Sequence, residues 1–99
     1  MASQHSYEMV FILHPSIPEY QLGAAVEKVK GYVTAGGGEI TSVENGAPWG
    51  RRRLAYPIKK VTEGYYTVLK MNIAAESLHE LERNLKLMEG MLRYMIVRP

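Results

Sequence analysis

Apolar residues recur at helical spacing in two segments of the chain. In each segment they are three or four residues apart, so they fall on one side of a helix and predict a stripe that packs against a core. The second of these helices is expected to cover roughly Ala75–Leu87. The predicted stripes are Leu22, Val26, Val29 and Val33 in the first helix, and Leu78, Leu81, Leu85 and Met88 in the second.

The first helix has a recognisable start and end. Ser16 and Glu19 have the spacing of a capping box, in which each side chain satisfies a free amide of the first turn, and Pro18 is tolerated there. Gly36–Gly38 is expected to end the helix, because glycine readily adopts the left-handed conformation that follows many helix C-termini.

The remaining apolar segments predict strands. Tyr7–Leu13 is apolar at odd and even positions alike, as expected of a central strand, and Tyr65–Ile73 is rich in residues that favour strands. Between them lies an extended arm interrupted by turn-forming residues. The predicted strands are Tyr7–Leu13, Glu39–Glu44, Arg51–Ile58, Tyr65–Ile73 and Met91–Val97, with turns at Asn45–Gly50, Lys59–Gly64 and Glu89–Gly90.

The alternation within Arg51–Ile58 predicts which side chains share a face. The large apolar side chains fall on one face, whereas Arg53 and Pro57 fall on the other. Pro57 cannot donate a ladder hydrogen bond, so this segment is expected to be an edge strand. We expect Leu54 and Ile58 to pack against the second helix or against a partner.

These elements follow one another as β-α-β-β-α-β when the interrupted arm counts as one strand. The order predicts an α+β, ferredoxin-like split βαβ sandwich: a four-stranded antiparallel sheet with two helices on one face. We expect residues 1–99 to form a single domain, because this length and a 46% hydrophobic content suffice for one core. Many unrelated functions use this fold, so it indicates little about function.

Positive charge is concentrated in the second half of the chain. Residues 1–50 hold two lysines and five glutamates, a net −3, whereas residues 51–99 hold ten Lys or Arg and five Glu, a net +5. Five of those cations, and no anion, lie within residues 51–60. Such an asymmetry steers a polyanion toward one part of a protein surface.

The residue types of common catalytic and metal sites are missing or scattered. The chain has no cysteine and no aspartate, and His5, His14 and His79 are scattered, with no second histidine at metal-binding spacing. No nucleophile elbow, phosphate loop or dinucleotide fingerprint occurs. We therefore expect no enzymatic activity, no metal, no cofactor and no small-molecule substrate.

The chain also lacks the sequence features of membrane and secreted proteins. No apolar run approaches the roughly 20 residues that cross a bilayer. The N-terminal residues have neither the basic start nor the small-residue cleavage site of a signal peptide. We expect a cytoplasmic protein without a membrane partner.

The arm from Trp49 to Lys60 combines cations with aromatic side chains. Arginine binds phosphate bidentately and stacks on bases, and the exposed bases of irregular RNA stack on aromatic rings. The same charges would also protect an edge strand from aggregation, and composition alone weighs the two interpretations almost evenly. The candidate RNA-binding residues here are Arg51, Arg52, Arg53, Tyr56, Lys59 and Lys60, and the candidate partner contacts are Trp49, Leu54, Tyr56 and Ile58.

A second set of candidate RNA-binding cations lies on the second helix and beside the last strand. Arg83 and Lys86 share one flank of the helix, although a helix C-terminus also favours Lys86 because of its dipole. Arg93 is flanked by apolar residues, which favours a binding role. The complete set is Arg83, Lys86, Arg93 and Arg98.

Other binding classes use the same fold. An RNA-recognition motif needs aromatic residues on its third strand, but Glu63–Val68 matches only the middle of that motif. A regulatory domain that binds amino acids would not need the basic arm. A stand-alone RNA- or protein-binding module is the alternative that remains.

One string of residues resembles a known family. Residues 50–60 (GRRRLAYPIKK), with Tyr7-Glu8, GYY at 64–66 and LRYMIV at 92–97, are similar to the bacterial small-subunit ribosomal protein S-six family. The resemblance covers nearly the whole chain in order, including the glycine-rich end of the first helix. Its central block is specific, and the other segments support it.

The resemblance implies a βαββαβ ribosomal protein without enzymatic activity or cofactor. It implies binding to the central domain of small-subunit ribosomal RNA as a heterodimer with the eighteenth small-subunit protein, which packs along the sheet. The residues that match the family motif are Arg51, Arg52, Arg53, Tyr56, Lys59 and Arg93.

Overall fold

Two helices and five strands make up the described part of the chain. The computed structural model describes residues 4–44, 50–58 and 60–99, with the backbone alone at 50–52, 55 and 56. A short 3-10 helix, Ala75–Ser77, leads into the second helix. The elements are β1 (Gln4–Leu13), α1 (Glu19–Ala35), β2 (Glu39–Glu44), β3 (Gly50–Ile58), β4 (Val61–Ala74), α2 (Leu78–Leu87) and β5 (Met91–Val97).

The strands form one antiparallel sheet in the order β2-β4-β1-β5, and β3 also pairs with β4. β2 pairs with residues 68–72 of β4 and β3 with residues 61–66, so both lie end to end along the same side of β4. Five strands thus occupy four positions in the sheet. This arrangement confirms the predicted α+β class and the interrupted arm.

The β3–β4 hairpin is tighter than the predicted turn at Lys59–Gly64. Ile58 pairs with Val61, so two residues connect the strands and residues 61–64 belong to β4. Lys60 has a φ of 67°, the left-handed conformation typical of two-residue hairpin connections. Lys59 lies outside the described residues. The prediction was wrong because it relied on the general preference of glycine for turns. The structure places Gly64 inside β4.

Pro57 lies in a bulge of β3. Arg53 pairs with Glu63 and Ile58 with Val61, so residues 54–57 stand opposite Thr62 alone. A bulge on an edge strand accommodates proline because the ladder requires no hydrogen bond from it there. The predicted edge position is confirmed, and the bulge breaks the regular alternation of faces after Arg53.

Helix α1 begins without the predicted capping box. Its N-cap is Pro18, with no side-chain hydrogen bond to the first turn, and the backbone amide of Ser16 donates to Nδ1 of His14 at 3.1 Å. The amide of Gln21 closes the first turn on the carbonyl oxygen of Pro18 at 2.8 Å. The prediction for Ser16 was wrong because it lies two residues before the N-cap, too early for its hydroxyl to cap the helix.

The end of α1 follows the prediction. Gly37 has a φ of 81°, the left-handed conformation expected after the helix. Its amide donates to Thr34 at 3.0 Å, and the amide of Gly38 donates to Val33 at 2.9 Å. This pair of hydrogen bonds defines a Schellman motif, which satisfies carbonyl groups that the helix leaves free.

The main core lies between the sheet and the two helices. Both predicted stripes face it, with Val29, Val33 and Leu85 fully buried. Residues directly opposite on antiparallel strands share a face, so the odd-numbered residues of β1 and β4 complete this core. The buried core residues are Tyr7, Met9, Phe11, Leu13, Val26, Val29, Val33, Tyr65, Leu69, Met71, Ile73, Leu81, Leu85 and Met88.

Candidate nucleic-acid interface

The face of the sheet away from the helices has an apolar centre. Val10 pairs with Val68 and Ile12 with Tyr66, so these side chains share that open face. On the edge strand β5, Met95 stands opposite Val10 and is 57% exposed. A large exposed apolar side chain beside an apolar centre is typical of a contact site for another molecule.

An apolar groove of about 190 Å³ opens on this face. Four strands line it, so residues far apart in sequence meet there. Leu54 and Ile58, two of the predicted partner contacts, lie in it beside Arg93, a predicted RNA contact. The lining residues are Val10, Ile12, Leu54, Ile58, Tyr66, Arg93, Tyr94 and Met95.

Leu54 fastens the β3–β4 hairpin to the sheet at this groove. It is only 8% exposed and clusters with Ile12 of β1 and Leu92 of β5, three residues that we call the hairpin cluster. Ile58 is half-buried against the same cluster. Contact with the sheet therefore replaces the expected contact of Leu54 and Ile58 with the second helix. Contact with a partner stays a prediction.

Three cations of the second predicted set lie along one continuous surface. Arg83 and Lys86 line a groove on α2, and Lys86 and Arg93 line another between α2 and β5. Arg93 also lines the apolar groove of the open face. We call Arg83, Lys86 and Arg93 the basic surface, and it adjoins the apolar groove at Arg93.

The charged groups of the basic surface remain exposed. Arg83 Nη1 lies 3.9 Å from Glu80 Oε2, and an exposed ion pair of this kind contributes little to stability. Lys86 lies in the last turn of α2, where the helix dipole stabilises a positive charge. The dipole interpretation and the binding interpretation are therefore compatible for Lys86.

Tyr94 links β5 to α2 beside the basic surface. Its hydroxyl donates a hydrogen bond to Glu82 Oε1 at 3.3 Å. Burial raises the pKa of Tyr94 above its usual value, and the charge of Glu82 and this hydrogen bond raise it further. The bond ties the strand that carries Arg93 to the helix that carries Arg83 and Lys86.

Arg98 lies apart from the basic surface. It follows the end of β5 that is distant from Arg93, and its Nη2 lies 2.9 Å from Nδ1 of His5 near the start of β1. The guanidinium donates to the imidazole in this contact, since arginine has no acceptor. RNA binding by Arg98 stays a prediction, but its place is at the other end of the sheet.

The structure describes the basic arm in part. Arg53 is exposed and stands opposite Glu63 in the ladder, a favourable pair of charges that supports the edge-protecting interpretation. Lys60 is exposed at the hairpin turn. The predicted residues Trp49 and Lys59, and the side chains of Arg51, Arg52 and Tyr56, lie outside what the structure describes.

Sequence reasoning missed five residues of the apolar groove, namely Val10, Ile12, Tyr66, Tyr94 and Met95. The available signal was the apolar character of β1 at both odd and even positions. A strand apolar on both sides favours a second apolar contact besides the helices, and Leu54 and Ile58 supply such a contact on the open face.

Within residues 4–44, 50–58 and 60–99 no three potential metal ligands come together. The two helices described there are too short or too polar to cross a membrane.

Comparison with known proteins decides between the binding classes. The family described as ribosomal protein S6 matches residues 6–98. The chain belongs to the ribosomal protein S6 family. Small ribosomal subunit protein bS6 of Clostridium novyi is 46% identical over 94 residues, covering 95% of this chain and 96% of that protein. The protein of the same name from Caldanaerobacter subterraneus is 40% identical over 93 residues, covering 94% and 95%.

A solved structure supports the same assignment. The crystal structure of 30S ribosomal protein S6 from Thermotoga maritima matches with a TM-score of 0.88 and 34% identity, covering 97% of this chain and 88% of that one. The resemblance and the ferredoxin-like fold inferred from the sequence are confirmed. As a member of the S6 family, the protein is a structural component of the small ribosomal subunit, a cytoplasmic particle, and not an enzyme.

Proposed function

We propose that this S6-family protein binds the central domain of small-subunit ribosomal RNA jointly with the eighteenth small-subunit protein. One observation carries the proposal: the basic surface and the apolar groove meet at Arg93. Two surfaces of different chemistry in contact suit a polyanion and a protein that bind side by side. In this proposal the whole chain, residues 1–99, acts as one domain.

The basic surface supplies the RNA contact in this proposal. Its exposed guanidinium and ammonium groups extend from α2 onto β5, so they can neutralise phosphates along one track. Arg53 and Lys60 add exposed cations on the hairpin. Four further residues are assigned to this RNA contact because they match the family motif: Arg51, Arg52, Tyr56 and Lys59.

The apolar groove supplies the partner contact. Apolar residues of four strands line it, and Met95 is largely exposed at its side. An apolar side chain of the partner would contribute most binding energy in such a groove, because anchor residues in pockets carry most of the binding energy of protein interfaces. Leu54 and Ile58 line this groove, which supports their assignment to the partner contact. Trp49 and Tyr56 are assigned to the contact from the sequence.

Neither protein need bind RNA tightly alone. Once the partner occupies the groove, its RNA contacts join those of the basic surface, and the second set of contacts forms with less loss of translational freedom. We therefore expect weak binding of a central-domain junction RNA by the isolated protein and clearly tighter binding with the partner present. Equal affinity with and without the partner would contradict the cooperative proposal.

Co-sedimentation separates this function from a stand-alone binding module outside the ribosome. A tagged copy of the chain should remain with small subunits through a high-salt wash, because buried partner contacts resist screening better than exposed charges do. The variant Lys28→Ala/Lys30→Ala, which loses two cations of α1 outside the basic surface, should be retained as well as the unaltered chain. Release of the unaltered chain in the wash would favour the stand-alone module.

A further inference from the structure

Two arginines of the candidate interface each adjoin a member of the hairpin cluster. Arg53 precedes Leu54 on β3, and Arg93 follows Leu92 on β5. Leu54 and Leu92 are buried in the same cluster with Ile12. The placement of Arg53 relative to Arg93 therefore depends on how closely the hairpin packs against β1 and β5.

Gly64 allows that close packing. It is buried in β4, and a Cβ at this position would overlap Cγ2 of Ile12 and lie 3.2 Å from the carbonyl oxygen of Leu13. The same Cβ would reach Cδ2 of Leu92 at 3.7 Å. The φ of Gly64 lies outside the left-handed region, so space, and not backbone conformation, excludes a side chain here.

The neighbours of Gly64 cannot move aside easily. Cγ2 of Ile12 is attached directly to a β-branched carbon, whose rotation is restricted in a strand. The oxygen of Leu13 belongs to the backbone of β1, which pairs with both β4 and β5. A side chain at position 64 would therefore displace the hairpin and not just a neighbouring side chain.

We propose that Gly64 is a positioning residue for the candidate interface. By letting β4 pass closely over Ile12, it holds the hairpin cluster together and fixes Arg53 relative to Arg93. Its effect on RNA binding rests on the proposed function, whereas its effect on the hairpin does not. Two measurements therefore test the two parts separately.

The first measurement reports the hairpin position without RNA. The chain has no cysteine, so spin labels can be placed by Thr62→Cys on the hairpin and Lys86→Cys on α2, both at exposed positions. We expect a narrow distance distribution for the pair, and a shifted or broadened one after Gly64→Ala. Adding Ile12→Leu removes the β-branched methyl that causes the overlap and should restore the distribution, while Ile12→Leu alone should leave it unchanged.

The second measurement reports RNA affinity against salt. Gly64→Ala should weaken binding of the junction RNA roughly tenfold and lower the salt slope by about one unit, since the two groups of cations no longer engage together. Gly64→Ala/Ile12→Leu should regain most of the RNA affinity and most of the salt slope. Val29→Ala, a destabilising change in the main core, serves as the control and should leave affinity unchanged where the protein is folded.

The outcomes separate the two proposals. An unaltered label distance in folded Gly64→Ala would overturn the positioning role, whatever the RNA result. A normal distance response with no RNA binding by the unaltered protein would overturn the proposed function alone. If Gly64→Ala does not fold, Leu92→Ala replaces it, because it loosens the same cluster from the other side. Unchanged distances in Leu92→Ala would then reject the inference.

Discussion

The two faces of the sheet differ in what covers them. The helix-covered face buries fourteen residues in one core, which both helices close. The open face buries the hairpin cluster and Val68, with partly exposed apolar residues and the basic surface beside them. The difference indicates that stability comes mainly from the covered face, whereas the proposed function assigns recognition to the open face.

The largest expected effect on stability belongs to the covered face. Leu85 is fully buried, so Leu85→Ala should lower the free energy of unfolding by about 3 kcal/mol through lost burial and a cavity. Leu87 lies two residues away on the same helix and is 77% exposed, so Leu87→Ala should change it by less than about 0.5 kcal/mol. Urea unfolding measures both, and similar losses for the two leucines would contradict the assignment of the core.

The hairpin cluster should combine a smaller stability loss with a loss of binding. Leu54→Ala is expected to lower the free energy of unfolding by about 2 kcal/mol, because its cluster is small and open to solvent on one side. It should also weaken binding of the eighteenth small-subunit protein, which calorimetry would detect. Leu85→Ala is the matched control and should not weaken that binding in the folded protein. Undiminished partner affinity in Leu54→Ala would remove this groove from the partner contact.

Tyr94 joins β5 to α2, and its contribution to the free energy of unfolding should be smaller than that of Leu85 or Leu54. Tyr94→Phe removes the hydrogen bond to Glu82 and is expected to lower the free energy of unfolding by about 1 kcal/mol. Because the folded-state pKa of Tyr94 is raised, its contribution is complete below the unfolded pKa and is lost as pH rises through the folded pKa. Unfolding measured at increasing alkaline pH should therefore show a smaller loss of stability for Tyr94→Phe than for the unaltered protein.

The control variant is Tyr20→Phe on α1. Tyr20 is 84% exposed, so its removal should change the free energy of unfolding by less than about 0.5 kcal/mol. Identical pH profiles for Tyr94→Phe and the unaltered protein would mean that the phenol of Tyr94 is not linked to folding.

The sequence predicts the covered face far better than the open one. The stripes of both helices, the glycine end of α1 and the strand Met91–Val97 were confirmed, because each depends on spacing within one short segment. The hairpin cluster joins Ile12, Leu54 and Leu92, which lie on three strands. Only the register of the sheet brings them together, and no local pattern carries that information.

The errors have the same origin. Gly64 was assigned to a turn because glycine favours turns, yet it lies within a strand that passes close to Ile12. Ser16 matched a capping box, but the chain between β1 and α1 adopts other hydrogen bonds, including one to His14. In the basic set, spacing predicted that Arg83 and Lys86 share a flank of the helix, but it could not show that Arg93 joins them while Arg98 contacts His5.

The smallest effect on stability should accompany the largest change in RNA binding. Lys86→Ala/Arg93→Ala removes two exposed cations of the basic surface, and Lys28→Ala/Lys30→Ala removes the same charge from α1. Each pair should change the free energy of unfolding by less than about 1 kcal/mol. The decisive measurement is the affinity of each variant for central-domain RNA over a range of salt concentrations. If the basic surface contacts phosphates, the salt slope should be lower by about two units for the first pair and nearly unchanged for the second. Equal slopes for the two pairs would show that the basic surface does not contact the RNA.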